Sequence, residues 1–249
     1  MTHFVEKPHL PESKVNAVVM SDIKENIVEE LKNNYHIEVI SSQPLLGIVG
    51  EERYHADMSL CHMGGNKFLS AAENKAVIKF LTDLRAECII CDSITAKKPE
   101  LNVCFLGNKL ICHTKKSERR ILRYADENGI KVYHTNQYYT KCSIAVVAEN
   151  AVMTSDRSVI SICHKNKIDV LELSVGGVEL NGYDYGFIGG SCGFIDGKTL
   201  AFSGKISFHP DAEKIRSFLH SYGIYAAELS SEPLYDIGGI LPLTENDIF

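Results

Sequence analysis

The feature that most limits what this chain can fold into is that it repeats itself. Residues 61–92, 103–135, 144–173 and 192–229 each read as an apolar strand, a tight polar turn, a second strand, a helix and a third short apolar strand. The turns Gly65-Asn66, Gly107-Asn108, Glu149-Asn150 and Asp196-Gly197 supply residues that tolerate the positive φ of hairpins. Asn66 to Asn108 and Asn108 to Asn150 are 42 residues each, and Asn150 to Gly197 is 47. The helices carry the expected period, with Ala76, Val77, Phe80, Leu81 and Leu84 forming one apolar face in the first of these units. Ser70-Ala-Ala-Glu73 reads as a capping box at its start, and in the last unit Pro210 opens the helix and Gly223 closes it. Any α/β protein that repeats strand and helix at this spacing would give a similar pattern, so the alternative stays open here.

A fifth unit is split between the ends. Residues 15–40 supply strand, helix (Ile23, Ile27, Val28, Leu31) and strand but lack the preceding hairpin strand. The C-terminal stretch LYDIGGILPL is a strand without its helix. If a strand at about Leu234–Leu243 pairs with Val15–Met20, the sequence closes a ring of five ββαβ units and removes exposed sheet edges. No Pro- or Ser-rich linker interrupts the pattern, so residues 1–249 are read as one domain.

Composition narrows the partners. The chain is 45% hydrophobic and 23% charged, as ordinary globular proteins are, which excludes disordered, collagen-like and coiled-coil architectures. Its 26 basic and 32 acidic residues give a net charge of −6 without a basic stripe, so nucleic acid is not the expected partner. No apolar run approaches a membrane span, and MTHFVEKPHLPESK is too polar for a signal peptide. Eight scattered cysteines fit a reduced, cytoplasmic protein. The expected partner is a small-molecule ligand, with no cofactor, no metal and the oligomeric state open.

Five ββαβ units about a pseudo-fivefold axis resemble the penteins, the guanidine-modifying-enzyme fold of arginine deiminase, the amidinotransferases and dimethylarginine dimethylaminohydrolase, which also holds a non-enzymatic ribosome anti-association factor. The motifs YHADM, YYTKCSIAVV, GFIGGSCGF, LAFSGKISFHPD and LYDIGGILPL are most similar to those of an uncharacterised bacterial family assigned to that fold. His55-Ala-Asp57 resembles the strand that supplies the general acid/base, and Thr140-Lys141-Cys142-Ser143-Ile144 resembles the strand of the nucleophilic cysteine. LNVCFLGNKLICH between them is similar to the hairpin found between histidine and cysteine in the dimethylarginine hydrolases. The resemblance implies a circularly permuted pentein, with the histidine unit early and the cysteine unit central. It also implies Cys142 as nucleophile, His55 as proton shuttle and Asp57 as the group orienting His55.

The residues make a partial case of their own. On a strand, positions i and i+2 share a face, so His55 and Asp57 are expected to project together, while Lys141 points away from Cys142. A carboxylate beside an imidazole favours its charged form, and a nearby imidazolium would make Cys142 a thiolate. The plain alternatives are a solvated strand-end histidine and a small buried core cysteine. The sequence also departs from the family. Guanidine-modifying penteins hold the substrate with paired carboxylates, yet Ser191 follows Gly189-Gly190 and Ile240 follows Gly238-Gly239. A guanidinium buried without carboxylates carries a heavy desolvation cost. Asp236 and Asp57 are the acids left near those strands, and Asp236, Ser191 and Cys192 are the expected substrate-binding residues. Cys192 is also the second choice of nucleophile.

Other patterns are set aside. Cys88-Ile-Ile-Cys91 has redox or zinc spacing but sits in an apolar strand, where i and i+3 face opposite ways, and no second such pair completes a zinc site. Cys-His pairs at 61–62, 112–113 and 163–164 fall at different phases of the unit and are read as coincidence. His62, His113, His134 and His164 are dispersed, Gly189-Gly190-Ser191 lacks a P-loop lysine, and Lys97-Lys98 and Lys115-Lys116 are solvated charge runs. Two functions follow. One is a cysteine-dependent hydrolase acting on a C–N bond of a guanidine- or amidine-like small molecule. The other is a catalytically inactive pentein-fold binding protein. Little turnover of free arginine is expected in either case.

Overall fold

Of the glycines expected in the hairpin turns, Gly65 and Gly107 adopt the positive φ they were read for, at 52° and 54°, whereas Gly197 does not. The computed structural model describes residues 2–91 and 99–247. The chain opens with β1 (Thr2–Phe4), β2 (Val15–Met20), α1 (Glu25–Asn33) and β3 (Glu38–Ser41). A one-turn helix α2 (Ala56–Ser59) leads into β4 (Leu60–Gly64), β5 (Lys67–Ala71), α3 (Lys75–Asp83) and β6 (Glu87–Cys91). The third unit is β7 (Cys104–Leu106), β8 (Lys109–Cys112), α4 (Arg119–Glu127) and β9 (Lys131–His134). A second one-turn helix α5 (Thr140–Ser143) precedes β10 (Ala145–Ala148), β11 (Ala151–Thr154), α6 (Arg157–Lys165) and β12 (Asp169–Glu172). The last unit is β13 (Cys192–Asp196), β14 (Thr199–Phe202), α7 (Ala212–Ser221) and β15 (Tyr225–Glu228), and β16 (Leu241–Asn246) closes the chain.

In every unit the first two strands pair antiparallel and the second and third pair parallel across the helix. The split unit obeys the same rule. β16 runs antiparallel to β2, with Leu241 opposite Val19 and Glu245 opposite Val15, and β2 runs parallel to β3. The two ends therefore complete one sheet, in the order β1-β16-β2-β3.

The five sheets are joined to one another by side chains. Because successive strand residues point to opposite faces, the pleat deals them alternately to two neighbouring interfaces. Leu60 and Phe68 pack with Ala17 and Val19 of the first unit, while Cys61 and Leu69 pack with Phe105 and Leu110 of the third. Cys104 and Ile111 then meet Val146 and Val152, Ala145 and Met153 meet Phe194 and Leu200, and Ile195 and Ala201 return to Val15 and Val18. Five apolar clusters thus link the units in cyclic order, a five-bladed α/β propeller. Middle strands are buried on both faces, which is why they read as unbroken apolar runs.

Some local expectations are corrected. The final strand begins at Leu241 rather than near Leu234, because Gly238 and Gly239 take φ of 74° and 79° and hold the preceding segment out of the sheet. Ser70 lies in β5 and caps nothing; α3 starts after Asn74, whose side-chain amide donates to Ser59 Oγ. His113 and His134 are brought edge to face at 4.9 Å, with Tyr138 stacked on His113. Lys97-Lys98 lies outside the described residues. Among the described residues no helix is long and apolar enough to cross a membrane.

Candidate active site

The turns leading into the first strands of the blades meet and bond to one another. Asp57 N donates to Gly238 O, Ile237 N and Gly239 N both donate to Gly190 O, and Lys141 Nζ donates to Gly189 O at 3.1 Å. Asn102, in the turn before β7, spans to α5: its Oδ1 accepts from Lys141 N at 2.7 Å and Cys142 N at 3.2 Å. This places an acceptor on free N–H groups at the start of a helix too short to satisfy them itself. Asp57 and Cys142 each sit three residues before their blade's first strand, at equivalent positions of two units.

His55 and Asp57 do not lie on a strand, contrary to the expectation from the sequence. His55 is the residue before α2 and Asp57 lies inside that single turn; Cys142 lies inside α5. Both motifs are short and rich in strand-like neighbours, so one turn of helix leaves no periodic trace. Lys141 is buried and bonded to the Gly189 carbonyl.

The geometry also changes the expected pairing. Cys142 Sγ donates to Asp57 Oδ2 at 2.7 Å and receives Asn102 Nδ2 at 3.3 Å. His55 faces Asp236 instead, with Nδ1 3.7 Å from Asp236 Oδ1. Asp236 is fixed in turn, Oδ1 accepting from Gly238 N and Oδ2 from Phe187 N. His55 Nε2 and Asp57 Oδ1 are buried without a hydrogen-bond partner. One ligand atom each from His55, Asp57 and Cys142 lies within 4.8 Å of the others, a set that could hold a metal ion but supplies three donors where a closed zinc site takes four.

The electrostatics follow from burial. Asp57 is pushed up to about 6 by desolvation, partly offset by the positive charges of His55 and Lys141. The Cys142 thiol is raised well above its ordinary value, first by burial and then by the carboxylates of Asp57 and Asp236. The expectation of a thiolate held by an imidazolium is therefore corrected: the Asp57 carboxylate accepts the hydrogen bond of the Cys142 thiol, and its negative charge together with burial disfavours the thiolate.

Cys142, His55 and Asp236 form the floor of a cavity of about 290 Å³. Its walls are Tyr139, Tyr183, Tyr185 and Phe187, with Glu52 and Asp184 at the mouth. Asp57 lies behind Cys142, on the side of Lys141 and His9. Of the expected substrate-binding residues, only Asp236 lines this cavity. Ser191 Oγ turns back to Ile188 O within the tight turn Gly189–Ser191, and Cys192 Sγ bonds the same carbonyl and lies with His9 and Lys141 on the opposite side. Burial holds the Cys192 thiol up at about 12. A larger open cleft of about 790 Å³ shares Tyr183, Asp184 and Tyr185 but reaches none of the floor residues.

Sequence reasoning missed Asn102 and the aromatic wall. Asn102 carries no local signal, since its partners lie some forty positions away. The wall had one: the last repeat interval is longer than the others, and the excess lies in the β12–β13 connection, which carries Tyr183, Asp184, Tyr185 and Phe187.

The profile of the family described as "Family of unknown function (DUF6873)" matches residues 18–241. No curated protein matches the chain. Among solved structures, a dimethylarginine dimethylaminohydrolase adduct with 4-chloro-2-hydroxymethylpyridine is similar at a TM-score of 0.55 and 7% identity, over 87% of this chain and 93% of that one. The inosamine-phosphate amidinotransferase of Streptomyces griseus gives 0.55 at 10% identity, over 91% of both chains. The agmatine deiminase of C. jejuni gives 0.51 at 12% identity, over 92% of this chain and 90% of that one. All three are penteins, and the fold described above is theirs.

Proposed function

Because the chain belongs to this family of unknown function, DUF6873, and has the pentein fold, we propose that it is a cysteine-dependent hydrolase. Its substrate is a small cation carrying an amidinium or guanidinium group. The observation that carries this reading is the convergence of Cys142, His55 and Asp236 at the bottom of one cavity, with Asp57 bonded to Cys142 from behind. Unpartnered His55 Nε2 supports it further, since a buried polar atom without a partner is costly unless a ligand uses it.

The raised thiol is consistent with catalysis triggered by the substrate's own charge. A planar cation seated against Asp236 offsets the carboxylates that keep the thiol protonated. Cys142 Sγ attacks the central carbon, forming a C–S bond as its proton passes to Asp57 Oδ2. An imidazolium at His55 gives its proton to the leaving nitrogen, the C–N bond breaks and ammonia or an amine departs. The remaining adduct is a cationic thioimidate or thiouronium. Water then attacks that carbon and gives its proton to His55, and the C–S bond breaks. The sulfur recovers its proton from Asp57 and the product oxygen passes its own to the released amine. The net change is amidinium plus water giving amide or urea plus ammonium. Cys142 Sγ is already within hydrogen-bond reach of Asp57 Oδ2, and acid–base catalysis requires the same of His55 toward the leaving nitrogen.

The contact between thiol and Asp57 also favours a second reading, a pentein that binds such a cation without turning it over, because a protonated sulfur is a poor nucleophile. Measuring ammonium or amine release from a panel of alkylguanidines and amidines separates the two. The hydrolase reading expects release that Cys142→Ala abolishes. Saturable binding with no release from any member would leave only the binding protein.

A further inference from the structure

The floor of the cavity accounts for one cationic group, but the walls are built for more. Tyr183 and Tyr185 stand exposed at the rim, and Phe187 lies against Tyr139 and Tyr185 with ring centroids 6.4 and 6.2 Å away. Tyr183 OH donates to Glu52 Oε1 at 2.5 Å, while Glu52 Oε2 is buried and unpartnered. The Glu52 carboxylate folds back against Gly50, whose φ is 94°; a Cβ there would meet Oε2 at 2.5 Å. Asp184 is a second acid lining the same cavity. No Lys or Arg lines the cavity among the described residues. The same cavity holds the unpartnered, buried His55 Nε2, so the acidic rim belongs to a built site rather than to a chance cluster of surface charge.

We propose that this mouth selects the tail of the substrate: it takes a tail ending in a second cation and rejects one ending in a carboxylate, with Glu52, Tyr183 and Asp184 as the specificity-determining residues. The inference rests on the amidinium reading of the floor. Aromatic faces attract an organic cation and offer an anion nothing, and a half-buried carboxylate gains strongly from an ammonium while repelling a like charge. An amino-acid tail, which needs a cationic partner for its carboxylate, finds no Lys or Arg among these lining residues.

Three guanidines of matched length test this: butylguanidine, 4-aminobutylguanidine and 4-guanidinobutanoate. Binding to the full chain carrying Cys142→Ser, so that none is consumed, is measured by calorimetry. The expected order is ammonium, then methyl, then carboxylate, with the ammonium tail about tenfold or more tighter than the carboxylate tail, which is about 1.4 kcal/mol. Glu52→Gln and Asp184→Asn should each shrink that ratio, weakening the ammonium tail more than butylguanidine. Tyr183→Phe, which keeps the ring and releases Glu52, should alter the ratio less. Equal binding of all three, or a carboxylate preference, overturns the tail inference and leaves the amidinium reading standing. Failure of all three to bind overturns both.

Discussion

Asp57 carries a cost that the site's chemistry explains. Its carboxyl titrates near 6 in the folded protein and in the ordinary acidic range when unfolded, so the native state takes up a proton between about pH 4 and pH 6 that the unfolded state does not. Its contribution to stability is fully present below about pH 4 and is lost as pH rises through about 6. Replacing Asp57 by Asn should therefore stabilise the protein by about 2 kcal/mol at pH 7.5, with the gain vanishing below about pH 4; denaturant melts across that range check it. A variant no more stable than the wild type at neutral pH would deny that Asp57 is buried as an anion there. The thiol gives a second expectation. With its ordinary ionisation pushed upward by burial and Asp57, alkylation of Cys142 by iodoacetamide should rise about tenfold per pH unit from pH 7 to 9. Asp57→Asn, by removing a negative neighbour, should accelerate it at fixed pH.

The short connecting turns hold the site together, and two of their residues are exposed to direct test. Gly238 sits at φ 74° with His55 packed directly on its α-carbon, so a Cβ would overlap the histidine. Gly238→Ala should cost about 1–3 kcal/mol and displace the His55 ring, read by denaturant melts and by the ring's NMR shifts. Asn102→Ala leaves two buried N–H groups of α5 and the Cys142 sulfur without their partner. A loss of about 2–4 kcal/mol is expected, read by denaturant melts. The longer helices were legible in the sequence because their apolar period repeats over nine residues or more, as in α3, and the strands because they form short apolar runs beside turn residues. The functional turns were not, because a single helical turn shows no period, and Thr140-Lys-Cys-Ser-Ile144 has a strand-like composition. His55, Asp57 and Cys142 were nevertheless singled out by motif, but Asp57 bonds Cys142 where it was expected to orient His55, and Asp236, expected to hold substrate, also faces His55.

At the scale of the molecule, the ring makes the position of the chain ends incidental. His3 Nδ1 lies 3.0 Å from Asp247 Oδ1, so the ends adjoin. Joining them with a short Gly-Ser linker and reopening the chain at the Gly107-Asn108 turn should preserve a single cooperative unfolding transition. Deleting residues 241–247 should abolish it, because β2 loses its antiparallel partner and an apolar edge is exposed. The closure was readable because an incomplete unit at each end asks for the other half. The extra strand β1, outside β16, was not, because its three residues carry no pattern of their own. The claim on which the functional account rests is that Cys142 is the nucleophile of a site that recognises a cationic amidine. Treating the protein with limiting 2-chloroacetamidine and mapping the modified peptide by mass spectrometry tests it directly. The account predicts a single adduct on Cys142, formed faster than with neutral chloroacetamide and slowed by Asp236→Asn, with Cys61, Cys104 and Cys192 untouched. An adduct first on Cys192, or labelling of Cys142 with no preference for the amidine, would contradict it.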